Sequence, residues 1–512
     1  MYNRAFPLPS IDWSAILPIM IVIGTGILAL LVEIVRPKQI NNPIVTISLL
    51  GLVVAAIAIV NNFNTPDSET LAGMMVNDRF GNVMQLLLVL SCGLCIAFSE
   101  NYLREKRIPF GEFYPLVLWS TSGAMLMATS RNLLVIFLGL EVLSIALYVM
   151  AGMSRSEEKS EESALKYFLL GAFASGFLLY GIAFLYGASG SLRIDGIAAT
   201  WASAEPFART LLVFGISLIL VGLSFKSAFV PFHQWTPDVY QGAPTNVTAF
   251  MAAGSKIAAI ATLYRVLDAA GVMADYWLPG MAVIAVLTMT VGNLIALMQK
   301  DVKRILGYSS IAHAGYILVA VLAHAKSVSN QGSVGLIGFG TTAYYLLAYA
   351  VMTIGAFAVI SLSAKDGRER TTLDDLHGLY KRDPFAAGAL VVFMASLIGV
   401  PPTAGFIGKL FIFSDALQAH LGWLAIILAV NSIISISYYL AIARAAFVAD
   451  DAEERIVQAN MGSGVFSAAG ICAVAVFLIS VLTGPLMNWM APTAGGVEAK
   501  SSHTRAVAQV KR

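Results

Sequence analysis

Apolar residues fill this chain in long runs rather than in alternating or striped patterns. Stretches of about 20 residues, nearly free of charge and bounded by short polar flanks, recur from end to end. They fall at 13–35, 42–62, 82–99, 113–129, 133–152, 165–187, 210–231, 247–271, 278–298, 304–322, 336–363, 387–413, 422–447 and 463–490. About 20 apolar residues at 1.5 Å each match the ~30 Å hydrocarbon core of a bilayer. The pattern predicts an all-α, polytopic membrane bundle of about 14 transmembrane helices, forming one membrane domain over residues 1–490. The polar tail at 491–512 is expected to be flexible. The first run, Trp13–Val35, is longer than a signal-peptide core and lacks a basic leader, so it reads as a retained helix.

Composition agrees. Of 512 residues, 58% are hydrophobic and 12% charged, and mean hydropathy is +0.77. Ordinary soluble chains carry about 25% charged residues. Lipid as the outer solvent removes the need for polar cover. The net charge of +2 gives no basic face for nucleic acid. Cys92, Cys95 and Cys472 form no disulfide framework, and the Cys92-Gly-Leu-Cys95 spacing lies inside an apolar run, where structural thiols are the better reading than redox or metal ligands. Lys and Arg concentrate in alternate loops, among them Arg104, Lys106, Arg107, Arg155, Lys300, Lys303, Arg304 and Arg368, against Arg79, Arg131, Arg193, Arg209 and Arg265 in the others. The excess places the first set on the cytoplasmic, inner side and both termini outside.

Two runs are interrupted. The seventh breaks at Pro231, followed by Pro237 and Pro244; the twelfth breaks at Pro401-Pro402, followed by Gly405 and Gly408. Proline removes a backbone donor, and lipid tolerates the freed groups only where protein or water satisfies them. Matching breaks in two halves point to an inverted-repeat transporter, here two five-helix units over 113–271 and 278–447 with flanking helices in 13–99 and 463–490. Two unrelated proline kinks are the alternative.

Four ionisable residues lie deep in apolar runs: Glu141, Lys226, Lys256 and Lys409. Each costs about 2.5–3.5 kcal/mol at a helix centre, so together they need partners or water to offset on the order of 10 kcal/mol. Lys226, five residues before Pro231, could instead reach the interface with its ammonium. Lysine shifts its proton affinity readily on burial whereas arginine stays charged, so three buried lysines favour proton transfer over fixed ion pairs. His233, in the first break beside Asp238, and His313, in the tenth run, are further candidate proton carriers, each weighed against a structural hydrogen-bonded role. His324 reads as interfacial and Lys166 as a lysine extending to the membrane surface. There is no GxxxxGK[ST] loop and no HExxH, and the glycines of Gly332–Gly340 lack the strand a dinucleotide site requires. Asn246-Val-Thr248 matches a glycosylation acceptor but opens a helix.

ESALKYFLLGAFASGFLLYGIAFLYG from Glu162, KSAFVPFHQWTPDVYQGAPTNVTAF from Lys226, KRILGYSSIAHAGY from Lys303 and GVPPTAGFIGK from Gly399 carry a resemblance that spans nearly the whole chain to about residue 490. The chain resembles the antiporter-like membrane subunits of respiratory complex I, and their N-type branch in bacterial NADH–quinone oxidoreductase most of all. The resemblance implies fourteen helices, two inverted five-helix repeats with broken helices seven and twelve, and a proton path through Glu141, Lys226, Lys256 and Lys409, with His313 on a central polar axis. Lysine at 409 fits the N-type branch. It implies further that this chain holds no cofactor, that NADH, FMN, iron–sulfur clusters and quinone act in the rest of the complex, and that the partners are neighbouring antiporter-like and small helical subunits in the bacterial inner membrane. Coupling would be indirect: redox energy arrives as charge and water rearrangement. One charge crossing 100 mV costs about 2.3 kcal/mol, and a two-unit swing in a lysine is worth about 2.7 kcal/mol, so the sizes match. A stand-alone cation/proton antiporter subunit of this fold would use the same lysines; a purely structural subunit would leave their burial cost unexplained.

Overall fold

A computed structural model describes residues 11–35, 42–108, 111–155, 157–331, 338–365, 367–448 and 463–490. The expected polar tail at 491–512, the loop charges Arg36, Lys38 and Arg455, and Gly332 and Gly335 of the glycine string lie outside the described residues.

The apolar runs fold as helices: α1 Trp13–Val35, α2 Asn42–Asn62, α3 Arg79–Glu105, α4 Phe113–Thr129, α5 Leu133–Ala151 and α6 Glu158–Ser189. A short α7, Asp195–Ser203, lies in the outer loop, followed by α8 Pro206–Ser227, α9 Trp235–Gly242, α10 Thr245–Phe250 and α11 Lys256–Ala269. The second half holds α12 Ala274–Ala296, α13 Val302–Gln331, α14 Phe339–Ile360, the one-turn α15 Leu379–Arg382, α16 Pro384–Ile398, α17 Ala404–Gln418, α18 Gly422–Phe447, α19 Ser463–Val481 and α20 Thr483–Met490. Among the described residues, eleven stretches are long and apolar enough to cross a membrane. One of these, Thr245–Ala296, turns back at Ala270–Met273 and so crosses twice, and α4 and the α16–α17 pair complete the bundle. Helix starts are fixed by side-chain caps where the chain re-enters: Asp78 accepts from Gly81 N, Asn132 from Leu134 N and Val135 N, and Asp383 from Ala386 N.

Both expected breaks are present, and proline sets their position. Its ring clashes with the carbonyl four residues earlier. Pro231 and Pro402 therefore end the preceding helices at Ser227 and Ile398. In each break a left-handed residue follows at once, Ala228 at φ 62° and Gly399 at φ 92°, and a second half-helix, α9 or α17, resumes. The seventh crossing thus stops short of the expected 231, and the twelfth is two half-helices rather than one interrupted run.

The core is central and wholly enclosed. Every residue of α14 is buried, and so is nearly all of the apolar span of α13. A helix apolar all round belongs inside a bundle. Outer helices approach closely through small residues: a Cβ on Gly123 of α4 would lie 2.6 Å from the Gly139 carbonyl of α5, and one on Gly181 of α6 would lie 2.7 Å from that of Gly215 in α8. Two small antiparallel hairpins cap opposite ends of the bundle, β1–β2 (Ser68–Thr70, Met75–Asn77) and β3–β4 (Ala364–Lys365, Arg368–Glu369). Between α10 and α11, Met251–Ser255 forms a π-turn directly before Lys256.

Candidate proton-transfer site

Lys226 lies in the last turn of α8 and is 4% exposed. Its ammonium does not run to the surface. Nζ donates to Ser144 Oγ of α5 at 2.8 Å and to the Tyr167 hydroxyl of α6 at 2.9 Å. Glu141, one turn from Ser144 on α5, accepts from Ser175 Oγ at 2.5 Å. Ser175, the partner of Glu141, lines a small cavity together with Ser144, Tyr148 and Lys226. The carboxylate and the ammonium thus each bind a serine hydroxyl that faces this cavity, without a direct ion pair among the described residues. Glu141 itself is half-buried, at the edge of the bundle.

From Lys226 an aromatic bridge leads inward through the core. The Tyr167 ring stacks on Trp235 at 4.6 Å, Trp235 meets Tyr240 edge-on at 6.3 Å, and the Tyr240 hydroxyl lies 3.4 Å from Ser310 Oγ. Ser310 is the anchor of Lys256, whose Nζ donates to its Oγ at 2.6 Å and to its carbonyl. Lys256 Nζ also sits 4.9 Å from the centre of the Tyr349 ring. One turn along α13 from Ser310, His313 is held at both nitrogens: Nδ1 by the Tyr345 hydroxyl at 2.8 Å and Nε2 by that of Tyr439 at 2.9 Å. Tyr438 beside Tyr439 donates to Asn293 Oδ1 at 2.8 Å, and Asn293 Nδ2 donates to the Tyr316 hydroxyl at 3.0 Å. Lys409 Nζ lies 5.2 Å from the Tyr316 ring and donates to the Leu397 and Ile398 carbonyls at 3.0 and 2.8 Å, at the end of α16. A hydroxyl both donates and accepts, so most of these partners serve an ionised or a neutral neighbour equally.

The structure therefore brings Lys226, Lys256, His313 and Lys409 into one buried row, with the half-buried Glu141 at its outer edge. His233 is not part of it: it stays half-buried at the first break, with its Nδ1 lacking a protein partner. His324 is buried, 3.3 Å from Asp268 and stacked on Tyr264. Lys166 is not merely extended to the surface, since it pairs with Glu162 at 2.6 Å and Asp238 at 2.8 Å. Ser224 and Ser227 are buried without a protein partner among the described residues, whereas Thr248 bonds backbone carbonyls. Asn246, the discounted glycosylation acceptor, is buried and donates to Ser99. Among the described residues no three His, Cys, Asp or Glu side chains gather as metal ligands would. Sequence reading missed the bridging tyrosines. Their signal is the spacing of Tyr345, Tyr349 and Thr353, four residues apart on one face of α14.

Residues 130–435 match the family described as "NADH:quinone oxidoreductase/Mrp antiporter, TM". NADH-quinone oxidoreductase subunit N of Trichlorobacter lovleyi is 44% identical over 440 residues, covering 86% of this chain and 88% of the relative. Among solved structures, a chain of respiratory complex I from Thermus thermophilus is 35% identical with a TM-score of 0.78, covering 93% of this chain and 99% of that one. A chain of the Mrp complex from Dietzia sp. superposes at a TM-score of 0.80 with 22% identity over 94% of this chain and 96% of that one, a likeness of fold.

Proposed function

The chain belongs to the NADH-quinone oxidoreductase subunit N family, and from that premise we propose that its buried row carries protons across the membrane, driven by electron transfer from NADH to quinone in other subunits. It is a multi-pass subunit of the bacterial inner membrane and takes part in catalysis only as part of the whole complex. NADH, FMN, iron–sulfur clusters and quinone belong to the other subunits in this reading, and the neighbours in the membrane arm are further antiporter-like and small helical subunits.

One observation carries the proposal: three lysines and a histidine are closed off from solvent yet lie in one row from α5 to α17, joined by hydroxyls, the Asn293 amide and aromatic rings, with a gap in hydrogen bonding at the Trp235 ring. Buried charge is costly, and a structural role alone would be met by apolar residues at no such cost. In the proposed cycle Glu141 sets the field at Lys226 through Ser144 and Ser175. Lys226 and Lys256 exchange protons through the Tyr167–Trp235–Tyr240–Ser310 bridge, with water completing the gap across the Trp235 ring. His313 relays between Lys256 and the tyrosines leading to Lys409, which lies in the outward-running half-helix and releases protons on the outer side. His233 remains an accessory candidate at the first break.

The test is proton uptake by sealed vesicles bearing the assembled complex, with Lys256→Ala and Glu141→Ala beside the native protein and NADH oxidation and assembly scored in parallel. Intact assembly with pumping and coupled turnover both reduced is the expected result. Unchanged pumping in either assembled variant sinks that residue's place in the path.

A further inference from the structure

Inward of the proton row lies a second group of charges that the cycle above does not use. Two elements run from Lys256 toward the inner side: the helix that starts at Thr245, and α14, which carries the Tyr349 ring beside Lys256. Both converge on a single carboxylate, Glu369, in the hairpin that follows α14. Glu369 Oε1 accepts from Thr245 Oγ1. Its Oε2 accepts from the Tyr102 hydroxyl at 2.9 Å and from Lys303 Nζ at 3.5 Å, and faces Lys106 Nζ at 3.9 Å. Lys106 also pairs with Glu157, and Lys303 donates to the Ala243 carbonyl at 2.7 Å. The two lysine side chains are 0% and 1% exposed and that of Glu369 is 6%.

Polar groups continue from this cluster toward Lys256. Asn246 Oδ1 and Ser363 Oγ are buried without a protein partner among the described residues, and Asn246 Nδ2 donates to Ser99 Oγ at 3.1 Å. Higher on α14 the Tyr349 and Thr353 hydroxyls are likewise buried without a hydrogen-bond partner among the described residues.

Burial pushes the Glu369 carboxyl up, but Lys303 and Lys106, with the Thr245 and Tyr102 hydrogen bonds, outweigh it and hold the group below its ordinary value. With Glu369 and Glu157 ionised, two carboxylates balance two ammoniums. Without Glu369, two buried ammoniums face one half-exposed carboxylate, and the positive field disfavours arrival of a further proton.

We propose that Glu369 is a positioning residue for proton uptake: at the inner end of the helix that bears Lys256, its carboxylate neutralises Lys106 and Lys303 and keeps the inner approach to Lys256 open to protons. The proposal rests on the reading of Lys256 as a proton carrier.

The experiment uses inverted vesicles bearing the assembled complex, whose medium bathes the inner side, and follows NADH-driven pumping against medium pH. Glu369→Gln keeps an acceptor oxygen and removes the charge; Glu369→Asp keeps the charge; Glu369→Gln with Lys303→Gln restores the balance. Glu369→Gln is expected to slow pumping several-fold and to move the alkaline limb of the profile toward acid by about 1 unit, the scale on which one charge at 4–6 Å acts. Asp and the double variant should recover rate and profile. A native rate and profile in Glu369→Gln overturns the proposal, as does a loss that leaves the profile in place and is not relieved by the double variant. If Glu369→Gln fails to assemble, the double variant decides: recovered pumping supports the charge balance, and failure to assemble overturns it in favour of a structural tie. Lys256→Ala in the same series separates the two readings. Full pumping there refutes the proton row itself; lost pumping there beside a native Glu369→Gln refutes only the role of Glu369.

Discussion

The two broken helices share a backbone and differ in where they put charge. Each ends its first half four residues before a proline, passes through one left-handed residue and resumes. Aligned on Pro231 and Pro402, Lys226 falls opposite Leu397, and Lys409 falls opposite Asp238. The first break thus keeps its lysine before the interruption, bound to hydroxyls of two other helices. The second keeps its lysine after the interruption, bound to the last carbonyls of its own first half. Hydroxyls can turn to follow a change of protonation, whereas carbonyls only accept and sit at the negative end of a helix dipole. One backbone device, repeated and inverted, therefore supplies two different environments for an ammonium. Side-chain placement rather than the break itself decides what each does.

Three variants bear on that comparison. Lys226→Arg leaves a charge that cannot be given up. Pumping by the assembled complex is expected to fall about ten-fold or more, the factor that one pKa unit represents, with assembly retained. Native pumping in vesicles would mean that Lys226 need not release its proton. Next, moving the second lysine to the place that matches the first, by Lys409→Leu with Leu397→Lys, should not restore what Lys409→Leu alone loses. The relocated ammonium would meet neither Ser144 nor Tyr167 and would carry an uncompensated burial cost of about 2.5–3.5 kcal/mol. Recovery of proton uptake would show that the break matters and the partners do not. The smallest effect is expected at the counterpart of Lys409. Asp238 bridges Lys166 and Arg304, but its side chain is 36% exposed and that of Lys166 is 42% exposed. Exposed pairs of this kind are worth about 0–1 kcal/mol, so Asp238→Asn should change pumping by less than about two-fold. A loss matching that of Lys226→Arg would make the two breaks equivalent after all.

What the sequence revealed divides along physical lines. Membrane crossings were legible because bilayer thickness imposes a length on every run, and the break positions because proline acts on a residue fixed at four places earlier. Glu141, Lys226, Lys256 and Lys409 were legible because charge in an apolar run stands out by its cost. Their partners were not. Tyr167 and Tyr439 sit in runs where a tyrosine reads as ordinary packing, and only the fold turns their hydroxyls on Lys226 and His313. Lys166 read as a lysine extending to the membrane surface because one of its partners, Asp238, lies 72 residues away. Glu369 was hidden for the opposite reason: between Arg368 and Arg370 in a polar loop it reads as solvated, and its burial is made by three distant segments.

The π-turn at Met251–Ser255 has a consequence for how Lys256 moves. It holds one residue more than regular α-helix needs, and such bulges recur at functional sites. Shed into a neighbouring turn, that surplus residue would rotate Lys256 by about 100° about the helix axis and shift it by about 1.5 Å, without breaking the helix on either side. Such a step would exchange one set of neighbours of the lysine at the middle of the row for another.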